Sequence, residues 1–273
     1  MIARGGNSSV YAAWDPKHDR EVALKFLSPE DIGQGLSNVP RFKREARALA
    51  NLDHPNVITL LGGGEALGGA YIVMELLRGK TLREWLAARP VSTRALEVMR
   101  QAGVGLAAAH DAGMVHRDFK PDNVMIEPDG RVCVLDFGLA KGGAASAKGN
   151  EPIVDGWSSV NRTPLSRLTE PGSVLGTIEY MAPEQHLAGL VDARSDQFSY
   201  CVTTYEAVFG ARPFEGHDVG TILRAMGQGV SSRPPRPAAI DARGYRALAR
   251  GLSIDPAARW PSVTALLGEL FPG

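Results

Sequence analysis

His116-Arg117-Asp118-Phe119-Lys120-Pro121-Asp122-Asn123 is followed further along the chain by Asp136-Phe137-Gly138. Between the two lie Val124-Met125-Ile126, a Pro128-Asp129-Gly130 turn and Val132-Cys133-Val134-Leu135. The pattern predicts a loop, a short strand, a tight turn and a second strand that delivers a carboxylate at its end. Such an arrangement suits phosphoryl transfer. A carboxylate at Asp118 can accept the proton of an attacking hydroxyl. The Asn123 amide and the Asp136 carboxylate are hard oxygen donors of the kind magnesium takes, and a lysine at 120 can offset charge on a phosphoryl group in flight. Either motif alone could be a surface turn that carries charges by chance. The two together, in this order and at this spacing, speak against chance.

A chain of 273 residues can bury a sizeable core and hold one large domain or two lobes. Thirty basic residues balance thirty acidic ones, so no global field points to nucleic acid or to an anionic membrane. No apolar run approaches the ~20 residues that span a bilayer. Met1-Ile2-Ala3-Arg4-Gly5 lacks the apolar core of a signal peptide, so the expected location is cytoplasmic. Cys133 falls in a predicted strand and Cys201 in a predicted helix, which fits two buried thiols rather than a disulfide.

The two motifs resemble those of the eukaryotic-like (Hanks-type) protein kinases, especially the bacterial serine/threonine branch. The pattern H-R-D-x-K-P-x-x-N is matched at every fixed position and D-F-G follows. Gly176-Thr177-Ile178-Glu179-Tyr180-Met181-Ala182-Pro183-Glu184 is similar to G-T-x-x-Y-M-A-P-E. The resemblance covers nearly the whole chain. It implies an α+β, two-lobed protein-kinase-like fold in a single domain: a small antiparallel β lobe with one main helix over about residues 1–74, a hinge at about 75–79 and a larger helical lobe over about 80–273. It also implies roles: Asp118 as catalytic base, Asn123 and Asp136 as metal ligands, Lys120 as a phosphate contact.

In the small lobe, Val10-Tyr11-Ala12-Ala13-Trp14 and Glu21-Val22-Ala23-Leu24-Lys25-Phe26-Leu27 read as antiparallel strands across the turn at 15–20. Residues 3–10 line up with the family's glycine loop, G-x-G-x-x-G-x-V, but only Gly5 is kept; Ala3 and Ser8 stand at the other two positions. Only Met1-Ile2 stands where the family has a full first strand, so a short or missing edge strand, weaker nucleotide binding and lower stability are expected. The resemblance places Lys25 on the α- and β-phosphates, held by Glu45. That glutamate borders the apolar stripe Phe42, Ala46 and Leu49 of a helix expected over 40–49. Ile2, Gly5, Val10, Ala23, Met74 (as gatekeeper), Met125 and the hinge residues Glu75 and Leu77 are the implied ATP contacts. Leu49, Leu60, His116 and Phe137 are expected to stack as a column between the lobes.

Residues 62–69 are glycine-rich and read as a turn. Thr81 can cap a short helix through Leu82, Trp85 and Leu86. A longer one, starting near Ser92, carries an apolar stripe of Leu96, Met99, Val104, Leu106 and Ala109, with His110 as a helix-end residue. From Asp136 to Glu184 small and polar residues dominate, and a loop that long inside a compact domain is functional or disordered. Thr169, Ser173 and Ser166 are its candidate phosphosites. A phosphate there would add roughly −1.5 to −2 charges, which Arg117 is placed to pair. By resemblance Glu184 pairs with Arg259, and Asp196 lies under the catalytic loop. The stretch Arg233-Pro234-Pro235-Arg236-Pro237 reads as an exposed connection.

The expected activity is transfer of the γ-phosphoryl group of ATP, with Mg2+, to serine or threonine hydroxyls of protein substrates. Autophosphorylation of the 136–184 segment, with self-association for reaction in trans, is expected with it. No nucleic-acid partner and no membrane segment in this chain are expected. The alternative is a catalytically weak or inactive kinase-fold regulator that binds nucleotide or a partner. The eroded glycine loop favours that alternative; Lys25, Asp118, Asn123 and Asp136 disfavour it. A small-molecule phosphotransferase of related fold is disfavoured by the A-P-E motif and its distant arginine.

Overall fold

Alternation of side chains about a central lysine builds the first sheet. The computed structural model describes residues 2–4, 8–27, 49–66, 69–137, 178–187, 189–230 and 240–272. A five-stranded antiparallel sheet runs in the order β1-β2-β3-β5-β4, from β1 (Ala3–Arg4), β2 (Ser8–Asp15), β3 (Arg20–Leu27), β4 (Leu60–Ala66) and β5 (Gly69–Glu75). Its register sets Val10 opposite Lys25 and Lys25 opposite Ile72, then Ala12 opposite Ala23 and Ala23 opposite Met74. Directly opposed residues share a face, so the Lys25 face also carries Val10, Ala23 and Met74. The other face carries a row of rings, with Tyr11 and Tyr71 flanking Phe26 at centroid distances of 5.9 and 6.0 Å.

The turn expected at 62–69 is shorter than its glycines suggest. Gly62, Gly63 and Gly64 continue β4 and pair with Val73, Ile72 and Tyr71. A Cβ on Gly64 would stand 2.8 Å from the Tyr71 hydroxyl, so the bare backbone makes room for that ring.

A second, three-stranded sheet joins β6 (Lys80–Thr81), β7 (Val124–Ile126) and β8 (Val132–Val134) in that order. Gly79, just before β6, lies so close to β7 that a Cβ would stand 2.2 Å from the Ile126 carbonyl oxygen. Segment 56–58 is bonded to β8: Ile58 N–H donates to Val134 O (3.0 Å) and Val134 N–H to Asn56 O (2.9 Å).

Helices form the rest: α1 (Leu82–Ala87), α2 (Ser92–Asp111), α3 (Pro183–His186), α4 (Ala193–Phe209), α5 (Val219–Gln228), α6 (Ala242–Gly251) and α7 (Val263–Leu270). Thr81 caps α1 in a reciprocal box with Glu84. Asp192 caps α4 by accepting the Arg194 N–H. α4 is the central element, buried on nearly every side. Its buried hydroxyls at 199, 203 and 204 donate to carbonyls one turn back, so the helix carries polar residues inside at little cost.

The stripe expected on α2 is displaced. Met99, Leu106 and Ala109 are buried as expected, but Leu96 and Val104 are half-buried, and Ala95, Val98, Ala102, Gly103, Gly105 and Ala107 complete the buried face. Close approach explains the small residues: a Cβ on Gly105 would stand 2.3 Å from Asn56 O, and one on Gly103 2.8 Å from the Tyr200 hydroxyl. The helix expected over 40–49 and the proline stretch at 233–237 lie outside the described residues, apart from helical Leu49.

Candidate active site

The loop at 116–123 takes its shape from Asp196, the fourth residue of α4, whose side chain is 1% exposed. The carboxylate accepts the backbone N–H of His116 (2.6 Å) and of Arg117 (2.7 Å), and His110 Nε2 lies 2.8 Å away. These bonds hold Arg117 at φ 65, a left-handed conformation that persists only where the surroundings impose it. His110 lies in the last turn of α2, as its reading as a helix-end residue implies, and is also a partner of this carboxylate.

His116 is fully buried. Its Nε2 donates to Leu135 O (2.7 Å) and its Nδ1 accepts the Asp118 N–H (3.2 Å). That pattern needs a neutral ring with its proton on Nε2. Burial pushes its pKa below the usual histidine value, and nearby carboxylates only partly offset this. The bond to Leu135 docks β8 against the loop and so presents Asp136, which sits at φ 51. Burial also pushes His186 down.

Both histidines stay neutral in the folded protein while the unfolded chain binds protons below about pH 6.5. Stability is therefore fully present above that pH and lost as pH falls, by up to about 1.4 kcal/mol per pH unit for each such group. Thermal melts from pH 8 to pH 5 are expected to show a falling Tm before carboxylates titrate. A flat Tm between pH 7 and 5.5 would count against neutral buried rings.

Around Asp118, Lys120 Nζ donates to Oδ2 (3.0 Å) and Asn123 Nδ2 donates to the Asp118 carbonyl oxygen (2.8 Å). With its nitrogen committed, Asn123 keeps the amide oxygen as its ligating end. Lys25 Nζ, from β3, lies 2.7 Å from Asp136 Oδ1. The structure thus brings Asp118, Lys120 and Asn123 together on one loop, and Lys25 and Asp136 together in one ion pair. Glu45, Gly5, Thr169, Ser173, Ser166 and Thr177 lie outside the described residues. Val10, Ala23 and Met74 share the Lys25 face, Ile2 is exposed with its N–H on Val10 O (2.8 Å), and Met125 is half-buried on β7.

At the end of β5, the Glu75 N–H donates to Thr59 O (3.0 Å). The Glu75 side chain accepts both Nη groups of Arg131 (2.8 and 2.9 Å) and the Thr59 N–H (2.9 Å). Burial alone would raise its pKa; the Arg131 guanidinium and Thr59 outweigh this and hold it below the usual carboxylate range. Arg131 also donates to Pro55 O (2.8 Å), so it fastens the first sheet to the β7–β8 turn. This residue was missed in the sequence, where an arginine after a glycine turn has no signature.

His116 also packs against Phe137 with tilted rings 4.8 Å apart and meets Phe119 edge-on at 5.6 Å. Leu49, Leu60 and Phe137 are buried with it. Below the loop, Arg259 forms a two-pronged pair with Glu184 (2.7 and 2.8 Å) and donates to the carbonyls of Arg194, Ser253 and Ile254. Ser195 Oγ donates to the same Glu184 (2.7 Å), and Gln185 Nε2 donates to Arg117 O (3.0 Å), linking α3 to the loop at 116–123.

Among the described residues no three His, Cys, Asp or Glu side chains gather as a metal cage. A cation here would take one carboxylate, one amide and oxygens of a phosphate, which is how magnesium binds nucleotides. No helix among the described residues is long and apolar enough to cross a membrane.

Comparison with known proteins agrees with this geometry. The chain matches the family described as "Protein kinase domain" over residues 1–271. It is 36% identical over 269 residues to the serine/threonine-protein kinase PknA of Mycobacterium tuberculosis, covering 96% of this chain and 57% of that protein. It is 38% identical over 241 residues to PknL of the same organism, covering 88% and 54%. The chain therefore spans about half the length of the curated relatives it matches. Among solved structures, the PknI kinase domain of Mycobacterium tuberculosis superposes with a TM-score of 0.69 at 25% identity, covering 99% of this chain and 92% of that one. Rad53 residues 1–466 superpose with a TM-score of 0.74 at 24% identity, covering 98% and 62%.

Proposed function

This chain belongs to the protein kinase domain family, and on that premise we propose that it transfers the γ-phosphoryl group of ATP to serine or threonine hydroxyls of protein substrates. The observation that carries the reading is the Lys25–Asp136 pair at 2.7 Å: the first sheet's one buried-face lysine meets the carboxylate that follows β8. Small and large lobes then divide near residue 74, with a hinge at about 75–79.

Asp118 accepts the proton of the attacking hydroxyl and orients its oxygen. Lys120, 3.0 Å from that carboxylate, would face the phosphoryl group. With nucleotide bound, Lys25 would contact the α- and β-phosphates, and Asp136 and Asn123 would hold the cation. Bound magnesium supplies positive charge at the phosphate oxygens. Glu45 would support Lys25, while Ile2, Gly5, Val10, Ala23, Met74, Leu77, Met125 and the Glu75 carbonyl would contact the base and sugar. Thr169, Ser173 and Ser166 are the proposed autophosphorylation sites, modified in trans by a second copy. A cytoplasmic location, where ATP is plentiful, fits the reading. The loss of two of three glycines in the loop at 3–8 favours one rival, a nucleotide-binding regulator.

Co-expression with a phosphatase, then exposure to ATP and Mg2+, separates the two by intact mass. The expected result is stepwise gain of phosphoryl groups. A mass that stays unchanged while nucleotide raises the Tm would identify a regulator instead.

A further inference from the structure

Arg83, in the first turn of α1, joins three separate elements. Its Nη2 donates to Asp122 Oδ2 (2.9 Å) in the catalytic loop, and its Nη1 donates to the Tyr180 hydroxyl (2.8 Å). The same Nη1 lies 3.4 Å from Glu206 Oε1 on α4. Tyr180 in turn donates to Glu206 Oε2 (2.5 Å), and the guanidinium carbon stands 5.3 Å from the tyrosine ring centre. Burial, with Glu206 beside it, pushes the Tyr180 phenol up and keeps it a donor. A second arginine, Arg212, pairs with Glu179 on the other side of the same Ile178–Tyr180 turn.

One guanidinium thus serves two carboxylates that come from distant parts of the chain, and the cluster keeps one surplus negative charge. Its outer members are accessible: the Asp122 side chain is 47% exposed and that of Arg83 37%. Asp122 is four positions past Asp118, so this surface borders the place where an acceptor hydroxyl must arrive. Two carboxylates without an arginine between them would form a site for a guanidinium or ammonium of an incoming chain.

We propose that Arg83 determines acceptor specificity by filling that site from within. The preferred acceptors are segments with neutral residues around the serine or threonine, because a basic one must displace Arg83 to reach Asp122 and Glu206 and an acidic one meets the surplus negative charge. The inference rests on the protein kinase reading for the identity of the ligand, but not for its test.

Paired peptides that differ only by Arg or Gln at each position flanking one serine provide the test. Binding is read by fluorescence anisotropy and transfer by radiolabelled ATP, on the whole protein. The native chain is expected to favour Gln or show no preference. Arg83→Met is expected to shift the Arg:Gln ratio by about five- to tenfold at one or more positions, and the shift should vanish in R83M/D122N/E206Q. Should Arg83→Met fail to fold, D122N/E206Q keeps Arg83 as an unneutralised cation and is expected to raise the Glu:Gln ratio by a similar factor. An unmoved ratio in a folded variant, or a gain that persists in the triple substitution, overturns the proposal. If no peptide is phosphorylated at all, the functional reading fails while the binding ratios still decide the role of Arg83.

Discussion

Asp118→Asn is expected to slow phosphoryl transfer by ~10²–10⁴-fold while leaving the fold and ATP binding in place. Asparagine matches aspartate in shape, and the Asp118 backbone carbonyl that accepts Asn123 Nδ2 is untouched. Only the charge and the proton-accepting capacity are lost, together with the ionic partner of Lys120 at 3.0 Å. Initial rates, nucleotide affinity and Tm measured on the same preparation separate these effects. Full activity in the variant would overturn the role given to Asp118. A collapse of Tm would show instead that the carboxylate holds the loop, which Asp196 is positioned to do without it.

The second large effect concerns stability. Arg259→Met is expected to cost about 3–5 kcal/mol, a fall in Tm on the order of 10 °C. Arg259 is 1% exposed and leaves behind a carboxylate at Glu184 that is itself mostly buried. Burial would raise the Glu184 pKa, but Arg259 and Ser195 more than compensate and hold it low. With the arginine gone, that carboxylate must either protonate or stay unpaired. Arg259→Met combined with Glu184→Gln is expected to cost clearly less than the sum of the single substitutions, because both remove the same interaction. A cost below about 1 kcal/mol for Arg259→Met would mean that the pair adds nothing to folding.

Much of this architecture was legible in the residues. The β2–β3 hairpin follows from alternation about Lys25, and the β7–β8 hairpin from Pro128-Asp129-Gly130, where Gly130 takes φ 92. The pairing of Glu184 with Arg259 and the burial of Asp196 were reached through family likeness; no local pattern announces either. Other features were hidden for physical reasons. Gly62–Gly64 looks like a turn because glycine lacks the side chains that mark a strand, yet Tyr71 fills the space they leave. The buried face of α2 is built from alanine and glycine, which carry little hydrophobic signal, so bulkier Leu96 and Val104 drew the stripe off its true line. His110 and Arg131 matter through partners at residues 196 and 75, and long-range pairing of that kind leaves no trace in local spacing.

The left-handed backbone at Arg117 has one further consequence. Its conformation is imposed by a carboxylate 79 positions downstream, so the reactive loop has no reason to hold its shape as an isolated segment. Chemistry near the middle of the chain is on loan from a helix synthesised later, and a nascent chain released before α4 emerges would be inert however well its first sheet had formed.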